Sequence, residues 1–525
     1  MNAVRLLEHY ERIADSLDAI ERMRRLIRNL AVRGTLFDNS ATLTDMTLGE
    51  LGTWGSGGTP LTTYPEYYGG NIPWLKISDL NDSVVTAAET FITDVGLANS
   101  SATLVEPGTI LVAMYGSIGK LGIAGIRCAT NQAIAFCNPN LETVTRNYLV
   151  LLLREMRTEL LAKGQGVAQK NISQKILKRH AVRIPSLAQQ DRVVAKVGEL
   201  MAICDRIEAK RAQRETARDR LTSATLARLN APALEPSTFA DYARFAIQSL
   251  DVLTTRADQI KQLRETILSL AVLGKLVPQD PSDEPASELL KRIATARTAS
   301  FIRSRSMPKS GKIDEPYPAP QGWQWARIGD VFSIRTGFAF KSSTYSKTGT
   351  LVFRVTNFDR ESQFDLTDSV FYPTHLIDEK FARYLLESGE IIMVMVGGTV
   401  GKTIMMSEDI LPALLNQNMW RLRSFGRQLF NEFEYLLIRS INQSSNGLTR
   451  STHGHFAMGD YELKLVCIPP VIEQRRIVRK VKEMMQLCEH LEFALHTSDE
   501  QKSRLLNALI AEALDASNAS ELVRA

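Results

Sequence analysis

Closely spaced cysteine pairs, long apolar runs and an apolar segment in the first residues are all missing from this sequence of 525 residues. Its five cysteines form no Cys-x-x-Cys pair, so neither a zinc ribbon nor a disulfide framework is expected, and the thiols are predicted to be reduced and buried. No apolar run reaches the roughly 18 residues of a membrane span, and the polar start MNAVRLLEHYERIADS lacks the apolar segment of a signal peptide. These absences argue against a membrane protein, and a cytoplasmic location is the default expectation.

Motifs for nucleotide binding and catalysis are missing as well. The segment GGTVGKT at Gly397–Thr403 approaches a phosphate-binding P-loop, but the pattern requires glycine at position 396, where Val396 stands. The similar segment YGSIGK is followed by Leu121, which cannot bind magnesium. We interpret both segments as tight glycine turns on strand pairs that leave Lys120 and Lys402 to face a phosphate.

No catalytic or metal-binding residue is predicted. The segment NPN at Asn138–Asn140 lacks the aromatic residue of an amino-methyltransferase motif, and no glycine-rich cofactor fingerprint occurs elsewhere. His453 and His455 in STHGHF are too few to form a closed metal site, so we interpret them as polar loop residues near a ligand.

The net charge of the chain is small, but positive charge is concentrated in one stretch. The net charge is +5, but the stretch from Lys163 to Arg183 holds six Lys or Arg and no Asp or Glu. A stripe of this kind is what contacts with phosphates need, and a solvated basic face is the alternative interpretation.

What is present is an internal repeat. IPSLAQQDRVVAKVGELMAICDRIE, from Ile184, is followed 284 residues later by IPPVIEQRRIVRKVKEMMQLCEHLE, from Ile468. The apolar residues of the two copies have the four-three spacing of a coiled-coil seam. They are Val193, Val197, Leu200, Cys204 and Ile207 in the first copy, and Ile477, Val481, Met484, Cys488 and Leu491 in the second.

A second helical repeat has an offset of 240 residues and pairs LIRNLAVRGTLF with TILSLAVLGKLV, each ending at a glycine suited to a helix C-cap, Gly34 and Gly274. The segments between the helices are rich in Gly, Thr, β-branched and aromatic residues, which predicts mixed strands and loops. Within them, AMYGSIGK is similar to MVGGTVGK, and NQAIAF to NQNMWR.

These patterns predict an α+β protein with a pseudo-twofold internal repeat: two mixed α/β globular domains separated by long helices that form an antiparallel coiled coil. We expect an N-terminal helical region at 1–45, globular domains at 46–187 and 323–471, central helices and a linker at 188–322, and a C-terminal helix at 472–525. Two related modules in one chain suit the reading of two half-sites on one duplex.

The whole chain resembles the DNA-specificity subunit of type I restriction-modification enzymes. The resemblance is carried by LRETILSLAVLGKLVPQDPSDEPASELLKRI (Leu263 to Ile293), by GGTP and YYGGNIPWLKISDL between Gly57 and Leu80, and by IPSLAQQDRV and IPPVIEQRRI. It implies that each domain recognises one half of a split site in double-stranded DNA and that the helices set the spacer. It also implies two methyltransferase subunits and motor-nuclease subunits as partners, which would supply S-adenosylmethionine, ATP and Mg chemistry.

The resemblance places DNA contacts in matching loops. In the first domain these are Thr59, Lys76, Lys120, Gln165, Gln169, Lys170 and Asn171, with Trp74 and Asp79 in the same loop and strand. In the second they are Lys341, Arg354, Asn357, Lys402, Arg450, Thr452, His453 and His455. Lys and Arg position phosphates, whereas Gln and Asn read adenine edges. The second domain does not have the GGTP motif and has TGFAF at Thr336–Phe340 instead.

Two alternatives remain from the sequence. A helical scaffold that binds only protein would not need the basic stripe. A self-contained restriction-methylation enzyme would need active residues that no motif reveals.

Overall fold

The computed structural model describes residues 18–36, 43–164, 171–232, 235–300, 313–359, 363–397, 399–444 and 457–522. The chain divides into two units. The first contains residues 1–215 and 498–525, and the second contains residues 216–497. The division therefore falls within each of two long helices, Leu187–Leu229 and Val471–Leu522. We call these the first and second long helix.

The first unit contains a mixed β structure made of three sheets. Its strands are β1 (Thr44–Thr47), β2 (Gly52–Ser56), β3 (Tyr68–Leu75), β4 (Val84–Val85), β5 (Phe91–Ile92), β6 (Leu104–Val105), β7 (Ile110–Ala113), β8 (Leu121–Ala124), β9 (Cys128–Thr130), β10 (Ile134–Pro139) and β11 (Ala181–Ile184). They pair as β1-β11, as β2-β10-β7-β8-β4 and as β5-β3-β9-β6. The β3–β9 and β4–β8 pairs are parallel and the others are antiparallel. All four residues of β7 are buried, as expected for a short apolar run inside a sheet.

The second unit repeats this plan. Its strands are β12 (Gln324–Arg327), β13 (Phe332–Thr336), β14 (Thr350–Phe353), β15 (Phe371–Tyr372), β16 (Ile391–Val394), β17 (Thr403–Met405), β18 (Ala413–Leu415), β19 (Met419–Ser424) and β20 (Leu465–Ile468). They pair as β12-β20, as β13-β19-β16-β17 and as β15-β14-β18, with β14 and β18 parallel. The strands that the two units share have the same order, and the edge strands β4 and β6 of the first unit have no equivalent strand among the described residues of the second. Strand β16 is buried throughout, like β7. The predicted α+β class with an internal repeat is confirmed.

Helices flank both β structures. Besides the two long helices they are Ala19–Val32, Asp94–Ala98, Arg146–Glu155, Arg157–Ala162, Gln174–Lys178, Pro236–Gln248, Leu250–Leu253, Ala257–Val272, Ala286–Ala299, Ile328–Val331, Glu379–Ala382, Asn431–Ser444 and Met458–Glu462. Within the described ranges, no helix is long and apolar enough to cross a membrane.

The helices Ala19–Val32 and Ala257–Val272, which the offset of 240 residues relates, end as the sequence predicts. We call them the short helices. Gly34 and Gly274 have φ of 72° and 68°, a left-handed conformation that glycine adopts without steric cost. The next residue donates its N–H five positions back in each case, Thr35 to Leu30 O and Lys275 to Leu270 O, both at 3.0 Å. Both helices therefore close with the same hydrogen-bonded cap.

Each short helix packs against the long helix of its own unit. Cys204 is buried with Ile20 and Met23, and Arg24 is 2.7 Å from Glu208. In the second unit Cys488 is buried in the cluster that contains Ile260 and Ile267, and Arg264 is 2.9 Å from Glu492. The residues of the predicted seam are therefore buried or partly buried in both copies. Its first two positions, Val193 and Val197, join the core of the globular region instead of a helix pair.

A buried glutamine holds the start of each long helix. Gln190 accepts a hydrogen bond from Thr145 N (2.8 Å) and donates to Thr143 O (3.0 Å) and Pro185 O (2.9 Å). Gln474 accepts from Phe430 N (2.8 Å) and donates to Pro469 O (3.0 Å). Both side chains are fully buried, and each satisfies backbone groups that would otherwise lose water on burial. These bonds tie the start of each long helix to the segments that precede it in its own unit.

Candidate nucleic-acid interface

Three loops of the first unit are joined by hydrogen bonds at one end of its sheets. Asn131 N donates to Leu75 O (3.0 Å), which ties the Asn-Gln turn to the end of β3. Met114 N donates to Ala133 O (2.8 Å), which ties the glycine turn to the Asn-Gln turn. Lys120 Nζ donates to Ile77 O (3.3 Å) and closes the ring of contacts. We call residues 57–60, 74–79, 114–120 and 131–133 the first loop face.

The second unit has the same network. Asn416 N donates to Phe353 O (3.1 Å), Met395 N donates to Asn418 O (3.0 Å), and Lys402 Nζ donates to Asp359 O (2.6 Å). We call residues 336–341, 354–359, 395–397, 399–402 and 416–418 the second loop face. The two faces thus share these backbone bonds, while the two lysines bond different positions of the neighbouring loop. Lys120 and Lys402 therefore each have a structural contact, and their predicted contact with DNA stays a prediction.

Glycine is required where the loop after β2 or β13 crosses the Asn-Gln turn. A Cβ at Gly57 would lie 1.9 Å from Thr130 O, and one at Gly337 would lie 1.8 Å from Asn416 O. No side chain fits at these separations, so the backbones meet directly. In the first loop face, this contact brings Thr59 beside Gln132, to whose Oε1 the Thr59 hydroxyl donates.

Lys76 and Arg354 begin equivalent turns. Lys76 N donates to Asp79 Oδ2 (2.6 Å), and Arg354 N donates to Asn357 Oδ1 (2.8 Å). These bonds leave the Lys76 ammonium over the Trp74 ring, 5.4 Å from its centre, while the Arg354 guanidinium donates to Asp368 O. Trp74 belongs to the core, since its Nε1 donates to Gly58 O at 3.0 Å.

Asn357 corrects a prediction from the sequence. Its exposed fraction is 0%, its Oδ1 accepts from Arg354 N, and its Nδ2 donates to Asp365 O (2.9 Å). A side chain that is fully buried and held by these two bonds cannot reach a base edge. Asn357 therefore shapes the turn that presents Arg354, as Asp79 does for Lys76.

Of the other predicted contacts, Asn171 and Lys341 are described and exposed. Asn171 lies beside the first glycine turn, where it forms an antiparallel bridge with Tyr115. Gln165, Gln169, Lys170, Arg450, Thr452, His453 and His455 lie outside the described residues.

Part of the basic stripe forms a helix that follows Asn171 and Ile172, and Ile172 N donates to Met114 O of the first loop face (2.9 Å). The helix Gln174–Lys178 is capped by Ser173 Oγ, which accepts from Ile176 N, and it exposes Lys175 and Lys178. Arg179 follows and is also exposed. None of these three cations is paired with a carboxylate in the described part of the chain, so their charge is available to a ligand. We call Lys175, Lys178 and Arg179 the basic helix.

A buried histidine supports the basic helix from behind. Burial lowers the pKa of His180 below its usual value, and the Lys163 ammonium lowers it further. The neutral ring therefore accepts from Lys163 Nζ at Nδ1 (2.7 Å) and donates from Nε2 to Glu159 Oε2 (3.2 Å).

Comparison with known proteins agrees with this arrangement. The type I restriction modification DNA specificity domain matches residues 42–214 and again residues 320–494. The chain belongs to this family. Each match contains one loop face and the first part of the long helix that follows it.

Specificity subunits of two Escherichia coli type I restriction enzymes are similar to this chain. The EcoAI subunit is 28% identical over 411 residues, which cover 74% of this chain and 68% of that protein. The EcoEI subunit is 23% identical over 390 residues, covering 70% of this chain and 65% of that protein. The crystal structure of an HsdS subunit from Thermoanaerobacter tengcongensis aligns with a TM-score of 0.45 at 16% identity, over 90% of this chain and 96% of that one.

Proposed function

We propose that this chain is the DNA-specificity subunit of a type I restriction-modification complex and that each loop face recognises one half of a split DNA site. One observation carries the proposal: both halves of the chain hold the same backbone network, yet they present different side chains from it. A shared frame with different side chains is what two half-sites of different sequence require.

The contacts that we propose are the residues predicted from the sequence, apart from those to which the structure gives another role. For the first half-site they are Thr59, Lys76, Gln165, Gln169, Lys170 and Asn171, supported by the basic helix. For the second they are Lys341, Arg354, Arg450, Thr452, His453 and His455. Lys120 and Lys402 hold the loop faces together, and Asn357 is left out because it is buried. We further propose 46–187 and 323–471 as the recognition domains, and 1–45, 188–322 and 472–525 as the helical regions.

We propose that chemistry resides in the partners. Two methyltransferase subunits would dock on the long helices and bring S-adenosylmethionine, and motor-nuclease subunits would bring ATP and Mg, so that this chain itself is not an enzyme. Such a complex would act in the cytoplasm, on chromosomal and incoming DNA.

Deletion of the gene tests the function directly. Mapping of methylated adenines in the host genome, with and without the gene, should show that one split motif loses its methylation on deletion and regains it on complementation. An unchanged set of methylated adenines would reject the proposal, because that is the result expected if the chain were a scaffold or an unrelated enzyme.

The basic helix should supply sequence-independent affinity. Replacing Lys175 and Lys178 with Gln should weaken binding to specific and random duplexes alike, because a contact with a phosphate releases counterions whatever the base sequence. Each lost contact should also reduce the magnitude of the slope of log K against log salt by about 0.9. A slope reduced by about 1.8 in a salt titration is expected if both lysines contact phosphates. Lys196→Gln is the control, since that half-exposed lysine lies on the first long helix beside Glu199 (2.9 Å). Equal slopes for the control and the double variant would contradict the assignment.

A further inference from the structure

An arginine-lined cleft of about 320 Å³ opens beside the second loop face. Arg335, Arg383 and Arg421 supply its charged lining, and we call it the arginine cleft. Its remaining lining is Ile334, Thr336, Tyr384, Leu415 and Met458. Thr336 and Leu415 each precede a residue of the crossing at Gly337 and Asn416, so the cleft adjoins the point where the two loops of the face meet.

The arginines are placed at an energetic cost. Arg335 of β13 lies directly opposite Arg421 of β19 in the antiparallel pair, and like charges in that position destabilise a sheet. Arg421 is only 7% exposed, and burial lowers its pKa from the usual value for arginine. Its guanidinium is held by Leu385 O (2.8 Å) and lies 3.5 Å from Glu390.

Nearby carboxylates do not neutralise this cluster. Glu390 is shared between Arg421 and Arg423, and Glu387 is shared between Arg423 and Arg427. Arg335 and Arg383 form no ion pair within the described ranges. Arg383 donates to the Tyr384 hydroxyl (3.0 Å) and stacks on that ring. The cleft therefore has an excess of positive charge that a bound anion would relieve.

Among the described residues, the positions of the first unit that are equivalent to this cleft hold different side chains. The cross-strand pair Arg335–Arg421 is replaced by Gly55–Phe136, where the Phe136 ring fills the space beside Gly55. The position equivalent to Arg383, two residues before the strand residue that pairs with β9 or β18, is Ala102. Three arginines on separate strands and loops thus occur in one copy of the repeat and not in the other.

The basic helix shows the opposite distribution. Its structural equivalent in the second unit is Met458–Glu462, because Leu48 N donates to His180 O (2.9 Å) just as Ile328 N donates to Lys464 O (2.9 Å). That helix carries Asp460 and Glu462, and Lys178 corresponds to Glu462. The helix Met458–Glu462 therefore does not have the cations of the basic helix, and the arginine cleft supplies cations at a different place.

We propose that the arginine cleft binds a phosphate group and that, in the DNA-bound protein, this group is a backbone phosphate of the second half-site. The second part rests on the proposed function. Planar guanidinium groups bind phosphate oxygens through paired hydrogen bonds. Three of them around one cleft would hold a bound phosphate in a defined position and neutralise its charge. The two units would then anchor DNA through different elements, the basic helix in one and the arginine cleft in the other.

The test uses the full chain with its partner subunits and the double variant Arg335→Gln, Arg383→Gln. Both arginines are exposed, and Arg421 is kept because its removal would leave Glu390 buried without this partner. Duplexes carrying one neutral methylphosphonate at successive positions of the second half-site are compared. Wild-type protein should lose affinity several-fold at one or two adjacent positions, and the double variant should show no further loss there. Arg244→Gln, an exposed arginine next to Asp241, is the control and should behave as wild type.

A second measurement separates DNA from a free anion. The unfolding temperature of the full chain alone is compared in inorganic phosphate and in chloride at equal ionic strength. A rise in phosphate for wild type but not for the double variant, together with a flat methylphosphonate scan, would support the phosphate site and reject its assignment to DNA. The same rise in a protein that binds no specific duplex would reject the proposed function and retain the site. No response of wild type in either measurement would overturn the site itself.

Discussion

Gly57→Ala and Gly337→Ala should each lower the free energy of unfolding of their own unit by about 3 kcal/mol or more, because the new Cβ would overlap a backbone carbonyl that cannot move away. The separations of 1.9 Å from Thr130 O and 1.8 Å from Asn416 O are far below van der Waals contact. Neither neighbour is a flexible side chain end, so relief requires the loop after β2 or β13 to shift. Chemical denaturation of the full chain, followed by probes in each unit, measures the loss.

The functional effect should be confined to one half-site. Gly57→Ala should relax the sequence preference in the first half of the site while the second half is still recognised, and Gly337→Ala should do the reverse. Gly198→Ala is the matched control, because a Cβ there meets nothing within 4 Å and the residue lies in the first long helix. That change should stabilise the protein by up to about 1 kcal/mol through helix propensity. If Gly57→Ala behaved like Gly198→Ala, the loop crossing would not be a constraint.

The parts of the fold that could be predicted from the sequence are those in which both copies of the repeat have the same residues. The glycine caps at Gly34 and Gly274 and the buried Cys204 and Cys488 stand at constant offsets, so one copy supports the other. The ion pairs of Arg24 with Glu208 and of Arg264 with Glu492 were missed, although the same two offsets of 240 and 284 relate them. A comparison of charged residues across the repeat would have found them.

Polar residues were harder to assign than apolar ones. The prediction that Asn357 contacts DNA rests on its place in a loop that matches the family pattern and on the ability of Asn to read a base edge. An Asn at the end of a strand is equally typical of a turn cap. Its repeat partner Asp79 was the signal, since an Asx residue three positions after a strand-end cation in both copies indicates a shared structural role. Gln190 and Gln474 lie at the same offset and were likewise not recognised as anchors.

The arginine cleft could not be found from the sequence. Arg335, Arg383 and Arg421 are separated by 48 and 38 residues, from 383 − 335 and 421 − 383, and the register of β13 against β19 brings two of them together. Strand register depends on the packing of whole faces, which a repeat comparison does not supply when the other copy has Gly55 and Phe136. The structure therefore adds most at positions where the two copies of the repeat have different residues. Recognition of two unlike half-sites requires such differences.

Lengthening both long helices should lengthen the spacer of the recognised DNA site. The division between units falls between Glu215 and Thr216 in the first long helix and between Thr497 and Ser498 in the second. Seven residues inserted at each point add about 10 Å of helix and change its phase by only about 20°. Because DNA rises about 3.4 Å per base pair, the spacer should grow by about three base pairs while both half-site sequences stay the same.

The phase control separates length from simple disruption. Two residues inserted at the same points add about 3 Å but rotate the following helix by about 200°, which should turn its buried face outward and abolish assembly. Methylation-site sequencing in cells reports spacer length and half-site sequence together, and the insertions change no residue of either loop face. A seven-residue variant that methylates the original spacing would show that the helices do not measure it. A variant with altered bases in a half-site would show that recognition depends on more than the loop faces, so the two results reject different parts of the proposal.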